Sequence, residues 1–398
     1  MRSTREFWRI ALLKHPFSGI KIIDLSSYIA GALCPGLLAD FGAQVTKVES
    51  LTGDPFRLLG PTFQDWNRGK RSVCINLKTD QGQQVLHKLV KEADVVVENY
   101  RPGVAERLGA GYQTLSRINP RLIYCSISAY GQDGPYRLKP GFDPLLQARS
   151  GAMAHQGYGR DGPVFLVMAI SDYAAACLGA YGVALAIFAR ARTGKGRRIE
   201  TSLLRACMAT QSGRFIISRN GSGSATRGDQ YGESSVYRLY TTKDGWIFLG
   251  VRSVLEWDRL IMALGQEGGG LSERFPTQKA RTQSGEELAV CLSKIFTTKS
   301  SNEWLGILQS QGVPCSPVHQ VSDLFEDPQM YRNGLSVDYK SPELGPITLR
   351  GVPVWFSETP GISENAAPFL GQHTDEVLSG IGYSKDQIRS LHRSRVVK

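Results

Sequence analysis

The chain has 398 residues, 41% hydrophobic and 21% charged, a globular balance that excludes disordered, collagen-like and coiled-coil chains and suits two domains or one large one. Its 47 basic and 36 acidic side chains give a net charge of +11, which attracts anions. The charge is spread thinly, without the stripe or tail of a nucleic-acid binder.

Residues 1–17 are basic, with an apolar stretch too short for a secretory signal; arginines and a single acid leave a transit peptide open. Residues 20–25 (IKIIDL) are β-rich, and 33–41 show helical spacing with Gly42 as a stop. Strands follow at 44–49 (QVTKVE) and 71–77 (RSVCINL). Residues 81–93 place Val85, Leu86, Leu89 and Val90 on one helical face. Segments 94–98 (DVVVE) and 121–128 (RLIYCSIS) are strongly apolar or β-branched. This alternation predicts an α/β fold with a parallel sheet covered by helices. The uncharged run 173–189 is short for a membrane span and predicts a buried helix, followed by a solvated basic loop from Arg190 to Arg198.

After about residue 204 the texture changes. Residues 220–232 read as a Gly/Ser/Thr-rich loop. Strands at 237–242 and 246–251 flank Lys243-Asp244-Gly245, a hairpin signal. Helices are predicted at 255–264, 286–296 and 303–311; strands return from 335, and a helical tail begins at Thr374. The expected organisation is a large domain over 1–219, a smaller α+β domain over 220–325, and a return to the large domain over 326–398.

The common enzyme signatures are absent: no GxxxxGK[ST] phosphate loop, no GxGxxG after the first strand, no HExxH and no GxSxG. The six histidines are scattered, so no metal is expected. Seven cysteines, without a CxxC or CxH cluster, argue against a disulfide framework and fit a reducing, cytoplasmic setting.

One carboxylate stands out. Asp172 follows the apolar run 164–170 and opens a helix. It reads as a helix N-cap or as a nucleophile aimed into a cleft, which would need an already activated partner such as a thioester. Lys78 follows one strand; Asn99-Tyr100-Arg101-Pro102-Gly103 follows another, with Arg107 one helical turn beyond. Such groups at strand ends suit an anionic, adenine-bearing ligand.

These segments also carry a resemblance. Asp24-Leu25 with Ala30-Gly31, 38–49 (LADFGAQVTKVE), 67–77 (NRGKRSVCINL), 94–103 (DVVVENYRPG), 124–135 (YCSISAYGQDGP), Gly141-Phe142-Asp143, Asp172, Thr193-Gly194-Lys195-Gly196 and 370–375 (LGQHTD) recur in order. The chain resembles the family III CoA-transferases, the group of formyl-CoA transferase and the carnitine and succinate–hydroxymethylglutarate CoA-transferases, from about Gly19 to the C-terminus. The resemblance implies a Rossmann-like large domain built from both chain ends, a small middle domain, and two interlocked chains. It makes Asp172 the nucleophile. It puts coenzyme A against Ile29, Ala30, Ile75, Asn76, Leu77, Lys78, Asn99, Tyr100, Arg101, Arg107 and Lys139, with no metal, nucleic acid or membrane involved.

The implied reaction moves CoA from an acyl-CoA donor, such as succinyl-CoA, to a carboxylic acid acceptor through an aspartyl-CoA thioester. Ile29 and Ser50 stand where formyl-CoA transferase has Gln and Arg, which argues against formyl-CoA as donor. Residues 220–232 would take the place of that enzyme's glycine run as a lid over the site. Asp143 either assists Asp172 or caps a turn. Two alternatives stay open. An α-methylacyl-CoA racemase would need a histidine where Phe142 stands, and His155 is the nearest in sequence. The chain could also be one subunit of a hetero-oligomer, pairing with a paralogue rather than forming a homodimer.

Overall fold

The computed structural model describes residues 15–157, 162–214, 229–341, 344–361 and 366–398. Residues 1–14, the bulk of the anticipated leader, lie outside it. Six short strands supply the central sheet: β1 (Lys21–Asp24), β2 (Gln44–Glu49), β3 (Arg71–Cys74), β4 (Val95–Glu98), β5 (Ile123–Ser128) and β6 (Arg197–Ser202). They pair in parallel in the order β3-β2-β1-β4-β5-β6. Between them run α1 (Tyr28–Ala39), α2 (Pro61–Asn67), α3 (Asp80–Lys91), α4 (Val104–Arg107), α5 (Tyr112–Ile118), α6 (Asp143–Arg149), α7 (Ala152–Gly157) and α8 (Ile170–Thr193), and α9 (Leu203–Thr210) follows β6.

Every residue of β4 and β5 is buried, as a parallel sheet covered on both faces requires. The period of two along each strand splits their side chains between two cores. Ile22, Val95, Val97, Ile123 and Cys125 point to one face, packed with Leu33 of α1 and Ala175 and Val183 of α8. Ile23, Val96 and Tyr124 point to the other, against Val85 and Leu89 of α3 and Leu115 of α5. Helix α3 starts at the Thr79 cap, whose hydroxyl accepts from Gly82 N–H, and it ends with Lys88 and Lys91, which complement its dipole.

Contacts divide the chain into two units: Met1–Ser150, Leu166–Ser212 and Pro328–Lys398 form one, and Gly151–Phe165 with Gly213–Asp327 the other. Nothing in the composition of residues 151–165 marks their departure from the first unit.

The second unit holds the antiparallel sheet β10-β9-β8-β7, with β7 (Gly232–Ser234), β8 (Tyr237–Thr241), β9 (Trp246–Gly250) and β10 (Cys315–Pro317). The predicted hairpin closes where Thr241 faces Trp246. Helices α10 (Val254–Leu264), α11 (Leu271–Arg274), α12 (Gln278–Gln283), α13 (Gly285–Phe296) and α14 (Ser301–Ser310) complete it, around Tyr240, Trp257, Phe296 and Trp304. Capping boxes at Ser253/Glu256 and Ser300/Glu303 start α10 and α14.

The chain then adds α15 (Pro328–Arg332), the hairpin of β11 (Ser336–Ser341) and β12 (Gly345–Arg350), α16 (Thr374–Gly380) and α17 (Lys385–Arg393) to the first unit. Leu378, Ile388 and Leu391 enter its second core. Beyond them Val397 bridges Ile75, and the Val396 carbonyl accepts from Asn76 N–H at 2.8 Å.

Two local expectations are corrected. Helix α8 is long and apolar enough to cross a membrane by length and composition, and it is not buried all round. Ala175, Ala176, Gly179 and Val183 face the core, whereas Tyr181, Leu185 and Phe188 are exposed, with Arg192 lying 4.4 Å over the Phe188 ring. Arg190 is not part of a solvated loop. It lies buried in the last turn of α8, 2.7 Å from Asp94, and donates to the Arg121 carbonyl. A basic residue at a helix C-terminus with a carboxylate in reach loses the reason to stay in water.

Candidate active site

The strand order reverses between β1 and β4, which makes the crevice outside their carboxyl ends the natural ligand site of such a sheet. The turn after β1 and the loop after β4 are stitched together there. Asn99 Oδ1 accepts from Ser27 N–H at 2.9 Å, and Asn99 Nδ2 donates to the Ser27 carbonyl at 2.6 Å. Gly31 makes the close approach feasible: a Cβ on it would lie 2.4 Å from the Ser26 Cβ and 2.7 Å from the Asn99 Cγ.

Asp172 is the third residue of α8, and Ala169 occupies the cap position without a side-chain bond. The N-cap role therefore falls away, and the carboxylate is free to face the site. The Ala30 backbone amide, in the first turn of α1, lies close enough to draw the pKa of that carboxyl down. Burial, and then the negative charge of Asp143, push the Asp172 carboxyl up to about 7, against the pull of the Ala30 amide. A carboxylate of this kind exchanges between acid and anion near neutral pH.

Asp143 is itself buried in the first turn of α6. It accepts from Ser171 N–H at 2.8 Å, from Ser171 Oγ at 2.5 Å and from Gln147 Nε2 at 2.5 Å. Gln147 also donates to the Leu166 and Met168 carbonyls. Asp143 thus acts as a strap that holds the start of α8 through the residue next to Asp172.

Comparison with known proteins follows the same lines. Residues 17–374 match the model of CoA-transferase family III. The chain belongs to CoA-transferase family III. It is 33% identical to a mouse succinyl-CoA:glutarate CoA-transferase over 96% of this chain and 90% of that one. It is 34% identical to an acyl-CoA transferase of the fungus Fusarium pseudograminearum, over 96% and 88%. Among solved structures, a CAIB/BAIF family protein from Brucella suis superposes with a TM-score of 0.83 at 29% identity, covering 92% of this chain and 99% of that one. The protein is therefore an enzyme that transfers CoA, with CoA as its substrate.

In this family III enzyme the other anticipated contacts sit on neighbouring strand ends. Ala30 is buried and Ile29 half-buried in the first turn of α1, just after the turn that follows β1. Ile75, Asn76, Leu77 and Lys78 follow β3, two strands from β1 and so about 10 Å away. Ile75 and Leu77 are buried, and Asn76 Oδ1 accepts from Lys78 N–H at 3.2 Å. Tyr100 packs partly into the second core, and burial raises its hydroxyl pKa strongly. Lys78, Arg101, Arg107 and Lys139 are exposed and make no ion pair among the described residues. Lys139 Nζ lies 4.7 Å over the Tyr136 ring. Four exposed cations that form no ion pair among the described residues, near the carboxyl ends of the strands, suit the phosphates of CoA.

The Ala30 amide acts on the Asp172 carboxyl, and Asn99 is bonded to Ser27, three residues before Ala30. The β3 loop, Arg107 and Lys139 share the carboxyl edge of the sheet without bonding to Asp172. Of the expected lid, residues 220–228 lie outside the described residues. Asp229 pairs with Arg238 at 3.0 Å in the second unit. A cleft of about 640 Å³ in that unit, bordered by Asp229, Arg238 and Arg281, contains none of the anticipated residues. Among the described residues no three metal-ligating side chains cluster.

Sequence reading passed over Glu98. It is buried at the end of β4, where loss of solvent pushes its carboxyl up to about 7 against bonds from Ser126 and from Tyr100 N–H. A charged residue closing an otherwise apolar strand was the available signal.

Proposed function

We propose that this enzyme moves CoA from succinyl-CoA to a free dicarboxylic acid through a thioester on Asp172, and back. The observation that carries the reading is the Asp172 carboxylate, half-buried and drawn toward the anion by the Ala30 amide, beside the β1/β4 switch point. The Asp172 anion attacks the thioester carbonyl; the C–S bond breaks, giving an acyl-aspartyl anhydride and CoA thiolate. The thiolate then attacks the aspartyl carbonyl and releases the donor acid, leaving CoA on Asp172. The acceptor carboxylate runs both steps in reverse. Each tetrahedral step builds charge on an aspartyl oxygen, where the Ala30 N–H is already aimed. Lys78, Arg101, Arg107 and Lys139 hold the CoA phosphates.

The mouse relative's name, with succinate and glutarate in it, supports dicarboxylate substrates. Phe142 cannot move a proton, which supports transfer over racemisation. The exposed apolar face of α8 supports a second chain packed there, as an interlocked homodimer or with a paralogue. The seven unpaired cysteines support a reducing, cytoplasmic setting.

Incubation with succinyl-CoA and then hydroxylamine or borohydride, followed by peptide mass analysis, tests the reading. Modification is expected at Asp172, and a panel of carboxylic acids then finds the acceptor. Protein that consumes the thioester without any adduct at Asp172 would overturn it.

A further inference from the structure

Beneath the turn after β1 lies a group of ions shielded from water. Asp24 closes β1, Lys47 lies on β2 and Lys70 precedes β3, and the side chains of all three are 0% exposed. Lys70 Nζ donates to Asp24 Oδ2 at 2.8 Å, to Asn67 Oδ1 at 2.9 Å and to the Ala32 carbonyl at 2.6 Å. Lys47 Nζ lies 3.0 Å from Asp54 and donates to the Ser26 carbonyl at 2.8 Å. Asp24 Oδ1 accepts from Ser26 N–H at 2.9 Å and from Ser26 Oγ at 2.5 Å.

The ions therefore grip the backbone on both sides of Ala30, at Ser26 and at Ala32. Between the grips, Tyr28 holds φ at +64°, a left-handed conformation that an L side chain keeps only when its surroundings impose it. Burying such ions costs desolvation that their mutual attraction barely offsets, so net stability is a poor account of their presence.

We propose that Lys70, Lys47 and Asp24 are positioning residues for CoA transfer, which clamp the turn at Ser26 and the start of α1 at Ala32 so that the Ala30 N–H stays aimed at Asp172. The proposal rests on the Asp172 reading above. The titratable groups that face Asp172 are Asp143 from α6, Cys207 from α9 and Tyr173 on its own helix; α1 contributes the Ala30 amide. Lys70 touches none of these side chains, so its removal acts on Asp172 through the amide. A loosened amide favours the Asp172 anion less and stabilises the developing oxyanion less.

The test uses Lys70→Met and Ser26→Ala in the full-length enzyme, with succinyl-CoA and glutarate as the probe pair. Lys70→Met is expected to lower kcat about 10- to 100-fold while KM for succinyl-CoA stays within about threefold, because the exposed cations are untouched. The acid limb of the kcat/KM profile is expected to move up by about half a pH unit or more, since a carboxylate that loses a donor binds its proton more tightly. Ser26→Ala keeps all three ions and should shift both readouts in the same direction by less. It carries the test if Lys70→Met does not fold.

Wild-type kcat and an unmoved limb in the folded variants overturn the proposal. So does a loss of activity that only tracks the lost folded fraction. An active Asp172→Asn variant would instead remove the Asp172 reading itself. Inactive Asp172→Asn alongside normal Lys70→Met would remove the positioning role alone.

Discussion

Replacing Asp172 by asparagine should abolish transfer and yet make the protein more stable, by an amount that depends on pH. In the fold the Asp172 carboxyl is pushed from 3.8 to about 7, chiefly by burial. Between those values the folded chain binds more protons than the unfolded one. Stability therefore falls as pH rises from about 4, and the penalty is complete above about 7. A shift of about 3 units corresponds to ~4 kcal/mol. Residual solvent access and relaxation around a half-buried group reduce that to about 1–3 kcal/mol. Asparagine has no proton to lose and keeps an oxygen for the Ala30 amide, so it escapes the penalty. The two proteins should melt together near pH 4, whereas at pH 8 the variant should melt higher by roughly 2–4 °C per kcal/mol. Turnover should drop at least ~10³-fold at every pH. Thermal melts at pH 5 and pH 8, paired with CoA-exchange assays, read both effects. A variant that melts below the wild type at pH 8, or by a margin that does not grow with pH, would refute the idea that the fold holds this carboxyl in a disfavoured ionised state.

Glu98→Gln should show the same pH-dependent gain, because burial also lifts that carboxyl to about 7 and the sign is the same; melts across pH 5–8 check it. Asn99→Ala removes both bonds to Ser27 and should cost about 1–3 kcal/mol in urea unfolding along with a drop of roughly tenfold or more in kcat/KM. Lys78→Ala and Arg107→Ala should raise KM for acyl-CoA several-fold with little change in kcat, and the difference from wild type should shrink as salt is added. Asp40→Ala leaves buried Arg68 without the carboxylate 2.7 Å away and should destabilise by about 3–5 kcal/mol in denaturant titration, without touching the site.

The local elements were legible because their causes are local. Branched residues at 94–98 and 121–128 have nowhere to go but a covered strand, and Lys243-Asp244-Gly245 between alternating runs can only turn. Asp172 and the strand-end cations stood out by residue type and by the order of their motifs. What pairs with what was not legible. The β3-β2-β1-β4-β5-β6 order, which creates the switch point, depends on which edges meet in space. The exposed face of α8 and the burial of Arg190 depend likewise on what packs against them. Asp24, Lys47 and Lys70 each looked like an ordinary polar residue within a motif. Only the assembled sheet shows them sharing one dry space under the turn that leads into α1. Sequence by itself thus determined the elements, the family likeness and the candidate nucleophile. Tertiary structure decided the carboxyl's surroundings, because desolvation and hydrogen-bond direction are properties of neighbours that the chain brings together only by folding.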